Sequence, residues 1–325
     1  MSHSFSKRIL RSFLLFMFLT AAVMLLPILL PKTHAAQAKV RLNKTSIHMV
    51  PGYTLKLKVK GTKAPVTWRS KKKRVATVDE NGVVTGKKPG SCKIIARVAG
   101  KKLTCKVRVY NPGSVVNTEG AMHGIDVSIW QGNINFKKVK KDGIDFVIMR
   151  AGHGTAVDTK FKRNYKNARK AGLKVGCYWF VTSTSISSLN KQIRMCKKAI
   201  KGKKFDMPVF IDIESNSQFS RGKDFCSSLV TGFCDKMLKA GYTTGWYTSR
   251  SFVPKYLYNS VSRNKDYVAW IAEHDSKLRY SYKYDIWQYS HTGRVKGISA
   301  YVDLNWYFPN ARKAKEQVKD PAKAE

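Results

Sequence analysis

Asp212 and Glu214 close the apolar run PVFIDIE at residues 208–214. Read as a strand, the run puts both side chains on one face, because side chains alternate along a strand with a period of two. At ~3.3 Å per residue their Cα atoms lie roughly 6.6 Å apart, close enough for the carboxyls to share one site. A carboxyl beside another in apolar surroundings is pushed to a higher pKa, leaving one protonated acid next to one anion near neutral pH. That pairing suits cleavage of a glycosidic bond, where one group protonates the leaving oxygen and the other stabilises the positive charge developing on the sugar.

Two further acids sit within or just after apolar runs, Asp126 in GIDVS and Asp303 in YVDLN. Either alone reads as a cap or a satisfied loop residue; four acids at four strand ends do not. Tyr178, Phe180, Tyr247, Trp270, Trp287 and Tyr289 recur at matching points, and acids ringed by aromatics describe a sugar cleft, since pyranose faces stack on rings. Four carboxylates also suit a hard cation, but the rings have no part in such a site, so no metal or other cofactor is expected. A chitinase-like reading needs a longer acid motif, and Phe210 stands where its next acid would be.

These residues need a scaffold that gathers strand ends. From Gly124 onward apolar runs such as DFVIMRAG, KVGCYWF, TTGWYTS, YVAWIAE and YDIWQYS alternate with amphipathic stretches such as FKRNYKNARKAG. That grammar indicates buried parallel strands with crossover helices. Eight such runs suggest a (β/α) barrel whose later connections are too short for full helices, with the active site at the C-terminal strand ends. Residues 39–110 read instead as short alternating strands of a small β-sandwich, with Asn81-Gly82 as a two-residue hairpin turn. Residues 111–122 form a linker punctuated by Pro112-Gly113, the second domain runs over 123–310, and 311–325 make a basic tail without apolar period.

The 325-residue chain carries 61 Lys and Arg against 20 Asp and Glu, a net charge of +41. Such an excess predicts attraction to polyanions. Residues 1–35 combine Lys7, Arg8 and Arg11 with the apolar run Phe13 to Leu30 and small residues beyond it, which reads as a secretory signal. An uncleaved anchor is the competing reading, and only then would the chain meet a membrane. An exported protein meets anionic wall polymer rather than nucleic acid, and the expected location is extracellular and associated with the cell wall.

The motifs HGIDVSIWQGNINF, FVIMRAGHG, VGCYWF, PVFIDIE, GYTTGWYTS, AWIAEHD, DIWQYSHTGRVKGI and VDLNWY occur in the order seen in family 25 glycoside hydrolases, the secreted bacterial lysozymes, which the stretch from about 123 to 308 resembles. VTWRSKKKRVATVDENGVVTGKKPGSCKIIA resembles the group 2 bacterial immunoglobulin-like domains, which implies a spacer or surface-binding module. The first resemblance implies a modified barrel that cleaves the β-1,4 bond between N-acetylmuramic acid and N-acetylglucosamine in peptidoglycan. It implies Glu214 as general acid, Asp212 as stabiliser of the anomeric charge or orienter of the substrate acetamido group, and Asp126 and Asp303 as the rest of the acidic floor. It also implies that Tyr178, Tyr247, Trp270 and Gln288 line the subsites. Glu273 and His274 depart from the family pattern, which more often has Gln and an aromatic there. The rival reading is a wall-binding or adhesive protein with an inactive barrel.

Six cysteines allow fifteen pairings. Cys226 and Cys234 lie about 12 Å apart on one helix, too far to pair, while Cys196 is placed to reach one of them. Cys92 and Cys105 flank a hairpin turn; a two-residue turn is expected to offset them by four residues, so a bridge there needs a bulge and stays open. Cys177 reads as a core residue. His123, His153 and His291 fall near strand ends without metal-ligand spacing and read as rim or loop residues.

Overall fold

The computed structural model describes residues 39–113 and 116–311. The expected export signal and most of the basic tail lie outside them. Among the described residues no helix is long and apolar enough to cross a membrane.

The N-terminal module is all β. Its larger sheet orders Ser46–Met49, Lys101–Val109, Gly90–Val98 and Thr67–Ser70, and its smaller one Thr54–Lys56, Val83–Gly86 and Ala76–Val78. Ile47, Met49, Leu57, Val84, Ile94, Ala96 and Val107 form the core between them. Alternation of buried and exposed positions along Lys101–Val109 is the half-buried strand pattern. The Asn81-Gly82 hairpin forms, but not through a two-residue turn. Asp79 to Gly82 make a four-residue loop in which the Gly82 amide donates to the Asp79 carbonyl at 3.1 Å and only Gly82 has positive φ. A Cβ at Gly82 would also sit 2.8 Å from the Leu57 carbonyl oxygen. The two-residue turn is Ala99-Gly100, both at positive φ, closing a register that pairs Val98 with Lys101. That register sets Cys92 opposite Val107 and Cys105 opposite Ile94, an offset of two positions rather than four. All six thiols are free and buried.

The second part is an eight-stranded closed barrel: β1 (Met122–Val127), β2 (Phe146–His153), β3 (Lys174–Phe180), β4 (Val209–Asp212), β5 (Thr244–Ser249), β6 (Tyr267–Ala272), β7 (Ile286–Gly293) and β8 (Val302–Tyr307). β1 to β7 run parallel, and β8 closes the ring antiparallel to both β7 and β1. The expectation of an all-parallel sheet therefore fails at its last strand. The connection from β7 to β8 holds no helix, and a crossover of a dozen residues or more is needed to make a parallel return. The reversal carries the start of β8 to the end of the barrel where the other strands finish.

Helices α1 (Phe136–Lys141), α2 (Phe161–Lys170), α3 (Ile186–Ile200) and α4 (Gly222–Leu238) cover the first half of the barrel. Ser185 starts α3, its hydroxyl accepting from the Ser188 amide, and Leu189, Ile193, Cys196 and Ile200 give α3 its apolar stripe. After β5 the described residues hold only two four-residue helical turns, Val253–Tyr256 and Asn259–Ser262. The N-terminal module takes the place of the missing helices. Tyr53 packs edge-on to Trp306 with centroids 4.9 Å apart, and Tyr110 lies 4.6 Å from Tyr289. Lys44 pairs with Asp142 at 3.0 Å. His48 Nδ1 and His123 Nε2 approach the Tyr289 hydroxyl at 3.1 and 2.8 Å. Burial lowers the pKa of these histidines to about 4 and about 3, so both are neutral at pH 7 and one accepts the Tyr289 proton while the other donates.

Candidate active site

Side-chain alternation sorts the barrel strands into two cores. Phe146, Ile148, Phe210, Tyr247, Val268, Trp270 and Ile286 fill the interior, while Val147, Val175, Ile211, Trp246, Trp287 and Tyr289 face outward. Above the interior layer the inward positions turn polar: Asp126 on β1, Asp212 at the end of β4, Gln288 on β7, and Asp303 and Asn305 on β8.

Asp126 and Asp303 are direct cross-strand partners. Asp126 Oδ2 accepts from Asn305 Nδ2 at 2.7 Å and from Gln288 Nε2 at 3.0 Å. Burial raises its pKa to about 6, against the pull of those two amides and of a hydrogen bond from Asp303. Asp303 is raised to about 9, by burial first and then by the charge and hydrogen bond of Asp126. This pair holds one proton at neutral pH, on Asp303.

Asp212 and Glu214 make the second pair. Asp212 is 4% exposed, and burial followed by the Glu214 charge raises its pKa well above the usual carboxylate range. Glu214 reaches solvent at the cleft mouth. Its pKa is raised by desolvation, with a hydrogen bond from Asp212 and the positive potential of His274 opposing the rise. A proton is thus shared across Asp212 and Glu214 and rests on Asp212 while the cleft is open to water. Asp212 Oδ1 is buried and has no hydrogen-bond partner in the protein.

A polar layer fixes these acids. Tyr247 donates to Gln288 Oε1 at 2.9 Å, Trp270 Nε1 donates to Asn305 Oδ1 at 2.9 Å, and Tyr247 packs 4.5 Å from Trp270. Trp270, 2% exposed, therefore supports the floor from beneath and offers no face for a sugar. Tyr178 and Phe180 are half-buried at the cleft, with Phe180 opposite Asp212 in register. Trp287 and Tyr289, expected as sugar-binding rings, point the other way. They flank Gln288 on β7, so a strand that turns Gln288 inward must turn both of them outward, where they pack under the N-terminal module.

Several residues join the site without having been singled out. Arg150 on β2 pairs with Asp158 at 2.8 Å. With Trp130, His153 and Phe180 it lines a groove of ≈ 460 Å³ next to the acids. Trp130 is 78% exposed, and the pattern GIDVSIW places it just past the end of β1. Asn305 lies two residues after Asp303, so the i, i+2 rule that paired Asp212 with Glu214 also marks it. Glu273 is drawn away from the cleft by Arg250 and Arg279 at 3.1 and 2.7 Å, whereas His274 Nε2 contacts Gln288 Oε1 at 2.9 Å and its Nδ1 meets His291 at 2.8 Å. The described residues hold no group of three or more His, Cys, Asp or Glu arranged for a metal ion.

The model of the glycosyl hydrolases family 25 matches residues 125–298, more than half of the chain. The chain belongs to family 25 of the glycosyl hydrolases. The bacterial Ig-like domain (group 2) matches residues 36–107. The autolytic lysozyme of Clostridium acetobutylicum is 33% identical over 186 residues, 57% of this chain and 55% of that protein. The chain thus spans about half the length of that relative. A family 25 glycosyl hydrolase from Bacillus anthracis superposes with a TM-score of 0.53 at 22% identity, over 64% of this chain and 96% of that one. The modular autolysin LytC from Streptococcus pneumoniae, solved with a synthetic peptidoglycan ligand, gives 0.53 at 23% identity, over 71% and 56%. Both likenesses concern the fold alone.

Proposed function

We propose that the chain is an exported lysozyme that hydrolyses the β-1,4 bond between N-acetylmuramic acid and N-acetylglucosamine in peptidoglycan, with residues 1–35 as its export signal. The observation that carries this reading is the paired acid arrangement at one end of the barrel, Asp126 opposite Asp303 and Asp212 at the end of β4 with Glu214 two residues on. The match to an autolytic lysozyme supports the substrate class.

Glu214 is the general acid. When a glycan chain covers the cleft mouth it strips water from Glu214, which raises its pKa and draws the shared proton from Asp212. Glu214 then protonates the leaving oxygen as the bond breaks. Asp212, now anionic, stabilises the charge at the anomeric carbon, and its unpartnered Oδ1 suits the N–H of the substrate acetamido group. Asp126, held by Asn305 and Gln288, supplies the negative floor, and neutral Asp303 keeps that floor from carrying two adjacent charges. Phe180, Tyr178 and Trp130 offer rings to the sugars.

The test is digestion of purified peptidoglycan followed by mass spectrometry of the new reducing ends. Muramic acid ends support the proposal; glucosamine ends would mean a different bond is cut, and no ends with intact wall binding would favour an adhesive role.

A further inference from the structure

The larger sheet of the N-terminal module has one face in its core and the other in solvent except where His48 meets the barrel, and the register places like charges directly opposite each other on the solvent-exposed part. Lys93 faces Lys106, and four residues further on Arg97 faces Lys102. All four are exposed. Directly opposed residues of an antiparallel pair have Cα atoms about 4.5–5.5 Å apart, and like charges there destabilise the sheet. Between them Arg69 is paired with Ile95, and on the other side Arg108 is paired with Ser91. Four successive rows therefore carry cations, spaced about 7 Å apart along the strands. Among the described residues none of these six cations is in an ion pair. Residues 39–110 contain only two acids, Asp79 and Glu80, and neither is on this sheet. At one end of the ladder Lys71, Lys93, Lys106 and Arg108, with the hydroxyl residues Ser46 and Ser91, line a groove of ≈ 450 Å³.

We propose that this face is a binding track for a linear phosphodiester polymer, the chemistry of anionic wall polymers, laid along the strands with successive phosphates on successive rows. The proposal rests on the reading that the barrel works on cell wall. Charge complementarity argues for a polyanion, and the regular spacing argues for a chain of evenly placed charges. Single-stranded nucleic acid fits less well, because its bases need a series of stacking rings and the one ring on these rows, the half-buried His48 opposite Arg108, is already engaged with the Tyr289 hydroxyl. Since Tyr110 and His48 lock the module to the barrel, a polymer on the track lies at a fixed position relative to the cleft.

The test compares the full-length wild type with a variant carrying Lys93→Gln, Lys106→Gln, Arg97→Gln and Lys102→Gln, using purified poly(glycerol phosphate) as the probe. A control removes the same charge from the exposed face of α3 by Lys191→Gln, Arg194→Gln, Lys197→Gln and Lys198→Gln. A cation near an anionic surface contributes about fivefold in affinity, so the track variant is expected to bind several hundred-fold more weakly and with a shallower salt dependence. The control should lose less than tenfold. The track variant's Tm should hold or rise, because opposed like charges are gone. Equal losses in both variants would show that net charge alone binds the polymer, and unchanged binding in the track variant would remove the site; either overturns the proposal. So would binding of a single-stranded oligonucleotide with the same number of phosphates more than tenfold tighter than the polymer. Hydrolysis of peptidoglycan stripped of phosphodiester polymer should be equal for all three proteins. Its absence from all three would refute the lysozyme reading and leave the binding result to be judged by itself.

Discussion

Asp303→Asn is expected to make the protein more stable at neutral pH. Asp303 has its pKa raised to about 9 in the folded chain from an ordinary value near 3.9. Between those values the folded state holds a proton that the unfolded chain releases, so this group's contribution falls by up to about 1.4 kcal/mol for each pH unit. The contribution is fully present below the unfolded pKa and is lost as pH rises through the folded one. At pH 7 the ceiling on the loss is about 4 kcal/mol, and partial exposure of Asp303 reduces the expected value to roughly 1–3 kcal/mol. Asparagine matches the neutral carboxyl in shape and still offers N–H donors to Asp126, but it does not titrate. Urea unfolding of both proteins at pH 4, 7 and 9 reads the effect. The two should coincide near pH 4 and diverge in favour of the variant as pH rises. A variant that is less stable at every pH, or a difference that ignores pH, would refute the assignment of the proton to Asp303.

Asn305→Ala removes a donor to Asp126 and strands the buried Trp270 N–H, which should cost about 2–4 kcal/mol in unfolding free energy. It should also shift the acidic limb of the kcat/KM profile to higher pH, since Asp126 loses a bond that lowers its pKa. Deleting the N-terminal module uncovers Trp287, Tyr289 and Trp306; at ~25 cal/mol per Å² the loss is on the order of 5 kcal/mol, seen as a lower Tm and dye binding, whereas a mere spacer would leave Tm unchanged. Thiol titration in denaturant without reductant should find all six cysteines, and reductant should leave Tm where it was.

Part of the acid cluster was legible because it obeys a short-range rule, side-chain alternation with a period of two. The strand PVFIDIE was expected to carry both Asp212 and Glu214 on one face, but β4 ends at Asp212 and Glu214 lies just beyond it; acids gathered at apolar strand ends follow from barrel geometry. The same rule separates Gln288 from Trp287 and Tyr289, and aromatic character alone had overridden it. Less accessible was the direction of β8. Asp303 opens its strand instead of closing it, and only an antiparallel return sets it opposite Asp126. The covered flank was not legible either, because Tyr53, Tyr110 and His48 lie far along the chain from the rings they meet. Nor does local sequence say that Arg279, six residues past Glu273, draws that carboxylate away and leaves His274 beside Gln288.

The most direct test of the central claim is single-substrate kinetics on purified peptidoglycan for wild type, Glu214→Gln and Asp212→Asn, with wall binding measured in parallel. A general acid contributes about 10²- to 10⁴-fold, so Glu214→Gln should lose turnover by that range while binding wall as before, and Asp212→Asn should also fall because the proton reservoir and the anion are both gone. Glu214→Gln turning over within tenfold of wild type would contradict the account, since the shared proton would then have another route to the leaving oxygen.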